Sequence, residues 1–257
     1  MSLLDGRVVL VAGIGPGLGS VLAERVVHHG GRVVVSARSG DRVGALAERL
    51  GDAAVGVVAD VTERDQCASV VEAALDAFGR IDGLVYNAAL IPPLTPVIES
   101  TPAQIRDAVA VGVEGALSLV QGCAPAMATA GGGSIVLVGS AVVRHPKPGF
   151  GAYNVGKHAA LGLARSLALE LGPDGIRVNT LVVGKIDGER LRSYLSEMAD
   201  RQDRSLAEVE AEYVSRIALG RLPDPVEHAD AAAFLLSPLS RSITGHMLDA
   251  NGGEYFD

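Results

Sequence analysis

Val8-Val-Leu-Val-Ala12 runs directly into Gly13-Ile14-Gly15-Pro16-Gly17-Leu18-Gly19, and the reading of this stretch decides the fold. A short apolar run bounded by glycine reads as a strand buried on both faces. An amphipathic helix, Leu18–His29, opens inside the glycine cluster and is closed by Gly30-Gly31. Glycines allow a tight turn and close approach to a pyrophosphate, whose charge meets the unpaired N–H groups of a helix N-terminus. Such a cluster also serves as a purely structural turn; its place between a strand and a helix favours the phosphate reading.

The same alternation continues along the chain. Val33–Ser36, Val55–Val58, Gly83–Tyr86, Ser134–Val138, Arg177–Val182 and His246–Asp249 read as further strands, and Ala/Leu/Glu/Arg-rich helical stretches separate most of them. Continuous apolar strands with helical crossovers predict a doubly wound α/β fold, a parallel sheet of the Rossmann type wrapped by helices. No linker or repeat divides residues 1–257, so a single nucleotide-binding domain is expected. The polar tract at about 184–217 interrupts the rhythm and reads either as a lid over a site or as an ordinary surface excursion.

Of the 257 residues 48% are hydrophobic and 20% charged, with apolar runs soon broken by Gly, Pro or charge, so no membrane-spanning segment is expected. A formal charge of −8 opposes binding to nucleic acid and to anionic lipid. Met1–Asp5 shows neither a signal nor a transit pattern, which predicts a cytoplasmic protein. Cys67 and Cys123 read as buried free thiols, and the scattered histidines predict no metal site.

Several motifs together resemble the short-chain dehydrogenase/reductase family, over nearly the full length. Its T-G-x-x-x-G-x-G appears as Ala12-Gly13-Ile-Gly-Pro-Gly17-Leu-Gly19, so Gly13, Gly15, Pro16, Gly17, Leu18 and Gly19 would line a dinucleotide pyrophosphate. Asp60-Val61 resembles the pair that contacts adenine, and Asn87 in Tyr86-Asn-Ala-Ala89 matches the family's N-N-A-G. After the second strand, Ser36-Ala37-Arg38 offers no carboxylate for the ribose hydroxyls of NAD. Arg38 suits the 2′-phosphate of NADP, with Ser36 or Ser39 as a further donor, although an arginine here also fits a solvated rim. NADP(H) is therefore the expected cofactor, with NAD(H) the other possibility.

Tyr153-Asn-Val-Gly-Lys157 opens a helical pattern, Ala152–Leu171, where i, i+4 spacing sets phenol and ammonium on one face. Free tyrosine titrates near 10, too high for a base at neutral pH; Lys157 and an oxidised nicotinamide would lower it. Only three lysines occur, which makes the spacing informative. Ser140 stands thirteen positions before Tyr153, resembling the family's substrate-binding serine; a capping role is the alternative. Arg144, His145 and Lys147 lie between them and could favour an acidic substrate group, but read first as a solvated basic loop.

The resemblance has gaps. Where the family has P-G-x-x-x-T, this chain has Val183-Gly-Lys-Ile-Asp-Gly188, leaving the backbone at Ile186 to hold the carboxamide and no threonine hydroxyl at Gly188. Gly112 stands where the family usually carries an asparagine that holds a water beside Lys157; either a gap that admits another water at a helix irregularity, or a plain packing glycine, fits. The resemblance implies hydride transfer between nicotinamide and a small-molecule carbonyl or secondary alcohol. It also implies a homo-oligomer, a tetramer, through the last strand and helices at Thr101–Thr129 and Ala152–Leu171. The gaps leave a catalytically weakened NADP-binding sensor as the alternative, and dehydration or epimerisation on the same fold as a third.

Overall fold

A computed structural model describes residues 2–91 and 94–256. Met1, Pro92, Pro93 and Asp257 lie outside the described residues. Seven strands, β1 (Val8–Ala12), β2 (Arg32–Ala37), β3 (Ala54–Val58), β4 (Gly83–Tyr86), β5 (Gly133–Val138), β6 (Ile176–Val183) and β7 (Met247–Ala250), form one sheet. Every pairing is parallel and the order is β3-β2-β1-β4-β5-β6-β7. All seven expected strands are present, within a residue or so at the ends. The last one starts at Met247 because the His246 N–H donates to the Asn179 side chain, 3.1 Å away, rather than joining the ladder.

Alternate residues of the strands feed two cores, which is why the strands read as unbroken apolar runs. Val9, Val11, Val33, Val35, Val136 and Val138 face α1 (Leu18–His28), α2 (Gly40–Leu50) and α9 (Pro225–Leu236). Leu10, Val34, Leu84, Ile135 and Val178 face α3 (Arg64–Phe78), α5 (Gly115–Thr129) and α6 (Gly151–Leu171). Cys67 and Cys123 are buried free thiols in the second core.

The expected helix at Thr101–Thr129 has three parts: α4 (Pro102–Val109), a π-helical segment Ala110–Glu114, and α5. Thr101 caps its start in a reciprocal pair with Gln104. By length and composition alone these 28 residues could cross a bilayer. In the fold, Ala116, Leu119, Val120, Cys123 and Met127 are spent on the core beside α3 and β5.

The tract at 184–217 is regular: α7 (Glu189–Gln202) and α8 (Leu206–Val214) pack through Leu195, Ala199 and Val209, a small core of their own. Strand order reverses between β1 and β4, whose carboxyl ends open the crevice where ligands of such sheets bind. The glycine turn, Asn87, Ser140 and the start of the 184–217 tract all follow strands that end on this side.

Candidate active site

Two of the loop glycines are required by packing and two are not. A Cβ on Gly13, at φ +89°, would lie 2.4 Å from the Ala88 nitrogen, and one on Gly19 would lie 2.5 Å from the Gly13 carbonyl. Gly15 and Gly17 would meet nothing within 4 Å. Their bareness serves the open side of the turn, a cradle that side chains would fill. Pro16 and Gly17 are exposed, while the Leu18 side chain enters the core, leaving only its backbone N–H to a ligand. Gly17 gives α1 no side-chain cap, and no acidic residue occupies the first turn, so the helix N-terminus keeps its attraction for an anion. Asn87 locks the loop: its backbone N–H donates to Ala12 and its amide to the Gly13 carbonyl at 2.7 Å. These residues fit a dinucleotide pyrophosphate.

Beyond the carboxyl ends of β2 and β3 Arg38 and Asp60 come together, the guanidinium 3.9 Å from the carboxylate with 78% of the arginine side chain exposed. Asp60 also accepts from the Thr62 N–H and hydroxyl. The Thr62 backbone bond is the main reason its pKa lies below the usual value, with Arg38 a lesser one. Val61 beside it packs against the core. Of the two serines expected near Arg38, Ser36 is buried with an unpartnered hydroxyl, whereas Ser39 sits at the start of α2 and makes no cap bond. Ser36 is thereby corrected to an interior position, because its strand register turns it into the sheet.

Tyr153, Lys157 and Ser140 come together in the structure. The Lys157 ammonium is buried, donates to the Val138 carbonyl at 2.6 Å, and lies 5.7 Å from the Tyr153 ring centre. Phe150 packs edge-on against the same ring, 6.3 Å between centres. Ser140 does two things at once: its Oγ accepts from the Val142 N–H at 3.3 Å, and its hydrogen bond to Tyr153 lowers the phenol pKa. Burial nevertheless wins, and the Tyr153 pKa is raised, with the Arg190 charge opposing it. The expected lowering by Lys157 is not met in the protein alone, because burial also holds the lysine down, to about 8.

Tyr86, which entered the sequence reading only as the end of a strand before Asn87, makes a contact that no local signal announces. Its buried hydroxyl donates to the Val111 carbonyl inside the π-helical segment. That segment carries Gly112 against α6, where a Cβ would stand 3.4 Å from the Gly156 carbonyl. Ala88, Ala89, Leu90, Ala108, Gly112, Tyr153, Gly156 and Lys157 enclose a small cavity with about 10 Å³ open to a water centre, room for about one molecule. Gly112 thus lies at a helix irregularity beside Lys157, where an i→i+5 register alters the pairing of main-chain carbonyls.

The 184–217 tract meets the segment that follows β7. Lys185 pairs with Glu254 at 2.8 Å, the two side chains only 9% and 2% exposed, and its ammonium lies 3.9 Å from the centre of the Tyr213 ring of α8. Gly184 lets this segment pass Asn251, whose Cβ a side chain would strike at 2.8 Å. Ile186 packs on the α1 side of the sheet, and Gly188 caps α7 with backbone alone. The 144–147 stretch is not a solvated basic loop: Arg144 pairs with Asp249 at 2.7 Å and Lys147 is partly buried.

Comparison with known proteins agrees with this geometry. The family model described as enoyl-(acyl carrier protein) reductase matches residues 13–254. A short-chain type dehydrogenase/reductase of Sinorhizobium fredii is 34% identical over 98% of each chain. A sorbitol dehydrogenase of Cereibacter sphaeroides is 31% identical, again over 98% of each. A cis-1,2-dihydrobenzene-1,2-diol dehydrogenase of Pseudomonas putida is 35% identical over 97% of this chain and 92% of its own.

The buried lysine sets a test of stability. A base whose folded pKa is about 8, against an ordinary 10.5, destabilises the fold wherever both states hold the proton. That penalty, on the order of 3 kcal/mol at neutral pH, fades as pH rises from about 8 to 10.5. Without cofactor, Lys157→Met should melt roughly 5 to 10 °C above the parent at neutral pH, the gap closing in alkali. A variant melting below the parent at neutral pH contradicts this account.

Proposed function

The chain belongs to the short-chain dehydrogenase/reductase family, and from that premise we propose that this NAD(P)-dependent oxidoreductase prefers NADP(H) and acts on a ketone, aldehyde or secondary alcohol. The observation that carries the reading is the convergence of Ser140, Tyr153 and Lys157 beside the crevice where the sheet order reverses. Two relatives are named for alcohol substrates, sorbitol and a cis-dihydrodiol, which supports the same reaction class.

Gly13, Gly15, Pro16, Gly17, Leu18 and Gly19 would hold the pyrophosphate, Asp60 and Val61 the adenine, Arg38 with Ser39 the 2′-phosphate, and Asn87, Tyr153, Lys157 and the Ile186 backbone the nicotinamide riboside. Bound nicotinamide supplies or accepts the hydride. Tyr153 exchanges the proton of the substrate oxygen, and Ser140 donates to that oxygen and stabilises the charge that develops on it. A buried phenol with a raised pKa keeps its proton at neutral pH, the state needed to protonate a reduced carbonyl. Alcohol oxidation needs the phenolate, and the positive charge of oxidised nicotinamide favours it. Lys157, fixed by Val138, orients the ribose and passes protons to Tyr153; a water in the Gly112 cavity would connect it to solvent.

Arg38 supports NADP because its guanidinium is exposed and only loosely engaged by Asp60. The 184–217 tract serves as the lid, its Lys185 and Tyr213 closing on the chain end. The protein works in the cytoplasm as a homotetramer; β7 is a sheet edge, and α6 leaves Val155 and Leu169 45% and 81% exposed, an apolar outer face suited to a second copy.

Three measurements test this reading. Tyr153→Phe should lower kcat by about 10² to 10⁴ and leave NADP(H) affinity nearly unchanged; a variant with most of its turnover removes Tyr153 from the chemistry. Arg38→Ala should weaken NADP(H) roughly ten- to a hundredfold with little effect on NAD(H), and equal losses for the two would count against 2′-phosphate recognition. Light scattering at micromolar concentration should give four chains per particle, and a monomer refutes the assembly.

A further inference from the structure

The basic residues between Ser140 and Tyr153 meet different fates. Arg144 is paired with Asp249 at 2.7 Å, and His145 stacks on Tyr255 with ring centres 5.0 Å apart. Lys147 is partly buried, yet among the described residues no carboxylate oxygen lies within 4.0 Å of its ammonium. The nearby carboxylate, Glu254, is already engaged: Lys185 is 2.8 Å from its Oε1, and the Tyr255 hydroxyl donates to the same oxygen at 2.8 Å. Two lysines therefore share one acid, in a chain whose formal charge is −8. Burial lowers the Lys147 pKa; Glu254 opposes this, while the Lys185 and Arg216 charges add to it.

This surplus cation is tied to the reaction centre. The Lys147 carbonyl accepts from the Phe150 N–H at 3.1 Å, closing the turn that presents Phe150 to the Tyr153 ring. Lys185, near enough for its charge to act on Lys147, immediately precedes Ile186, and its ammonium lies 3.9 Å from the centre of the Tyr213 ring. A half-buried ammonium whose nearby carboxylate is already engaged by another lysine is unfavourable, and a side chain needed for packing alone would be more stable as methionine. A ligand anion removes the penalty.

We propose that the substrate carries a carboxylate remote from its reacting carbon, and that the Lys147 ammonium, left without that acid by the neighbouring Lys185–Glu254 pair, receives it. The charge surplus lies on the turn between Ser140 and Tyr153, apart in sequence from the glycine turn and Arg38 that would serve the cofactor phosphates. The inference rests on the hydride-transfer reading for its kinetic test, but not for its binding test.

The full chain with NADPH is assayed on keto acids of increasing length and on their methyl esters. Each well-fitting acid should exceed its ester in kcat/KM roughly ten- to a hundredfold, chiefly through KM. Lys147→Met should bring the acid-to-ester ratio close to unity, and Lys147→Arg should keep most of it; melting curves confirm that both variants fold. Esters equal to or better than acids in the parent, or a ratio that Lys147→Met leaves unmoved, overturns the proposal. If neither class is reduced, the carbonyl-reductase reading is what fails. Calorimetric titration of the same carboxylates and their amides into the chain saturated with NADP⁺ then decides alone. Binding of the acids but not the amides, lost in Lys147→Met, sustains the proposal; no acid binding, or binding indifferent to Lys147, sinks it.

Discussion

Main chain packs directly on main chain where β1 and β4 end, and the site takes its shape from that contact. The Gly13 backbone lies so near Ala88 that one methyl group would stand 2.4 Å from its amide nitrogen. The Ser36 carbonyl receives the N–H groups of Gly13 and Ile14, and the Asn87 amide grips the Gly13 carbonyl. Three neighbouring strands are thereby tied at their carboxyl ends. The turn is held from below and from both sides, which leaves the remaining face, with Gly15 and Gly17, for a ligand. Order here comes from packing and hydrogen bonds that the ligand need not supply.

The opposite condition holds at Lys157. Its ammonium is taken from water, given one carbonyl at 2.6 Å, and held well below its ordinary pKa. Nothing about folding requires a lysine at that point on α6, where an apolar side chain of similar length would be more stable. The fold tolerates this because two large cores, one on each face of the sheet, provide stability elsewhere. The same burial pushes Tyr153 in the other direction, raising its pKa, so the phenol holds its proton firmly and the ammonium loosely. Such a pair responds strongly to any charge placed between its members.

Much of the fold was legible because a parallel sheet buried on both faces writes itself as apolar runs between glycines, as in Val8–Ala12 and Gly83–Tyr86. The nearness of Tyr153 and Lys157 was legible for a related reason, since helical periodicity links the two within a single turn or so. What escaped depends on distant main-chain atoms or on long-range pairs. The Val138 carbonyl that holds Lys157 has no signature, and neither has Glu254 as the partner of Lys185. The π-helical segment is set by a hydroxyl twenty-five positions away, at Tyr86. Ser36 and Lys147 were misjudged because sequence gives a residue's type but not the depth at which its neighbours place it.

The π-helical segment at Ala110–Glu114 bears on how such proteins diverge. A task carried by a carbonyl is written in the course of the backbone, and every amino acid possesses that atom. The side chain at position 112 is then free to drift, even to glycine, provided that the phenol at Tyr86 and the close crossing at Gly156 keep the bend in place. Comparing letters would score the position as a loss, although the main-chain oxygens of the segment are present whatever residue stands there. Inheritance at this point resides in curvature, and two chains that disagree at the column of an alignment can still agree in the atom they offer.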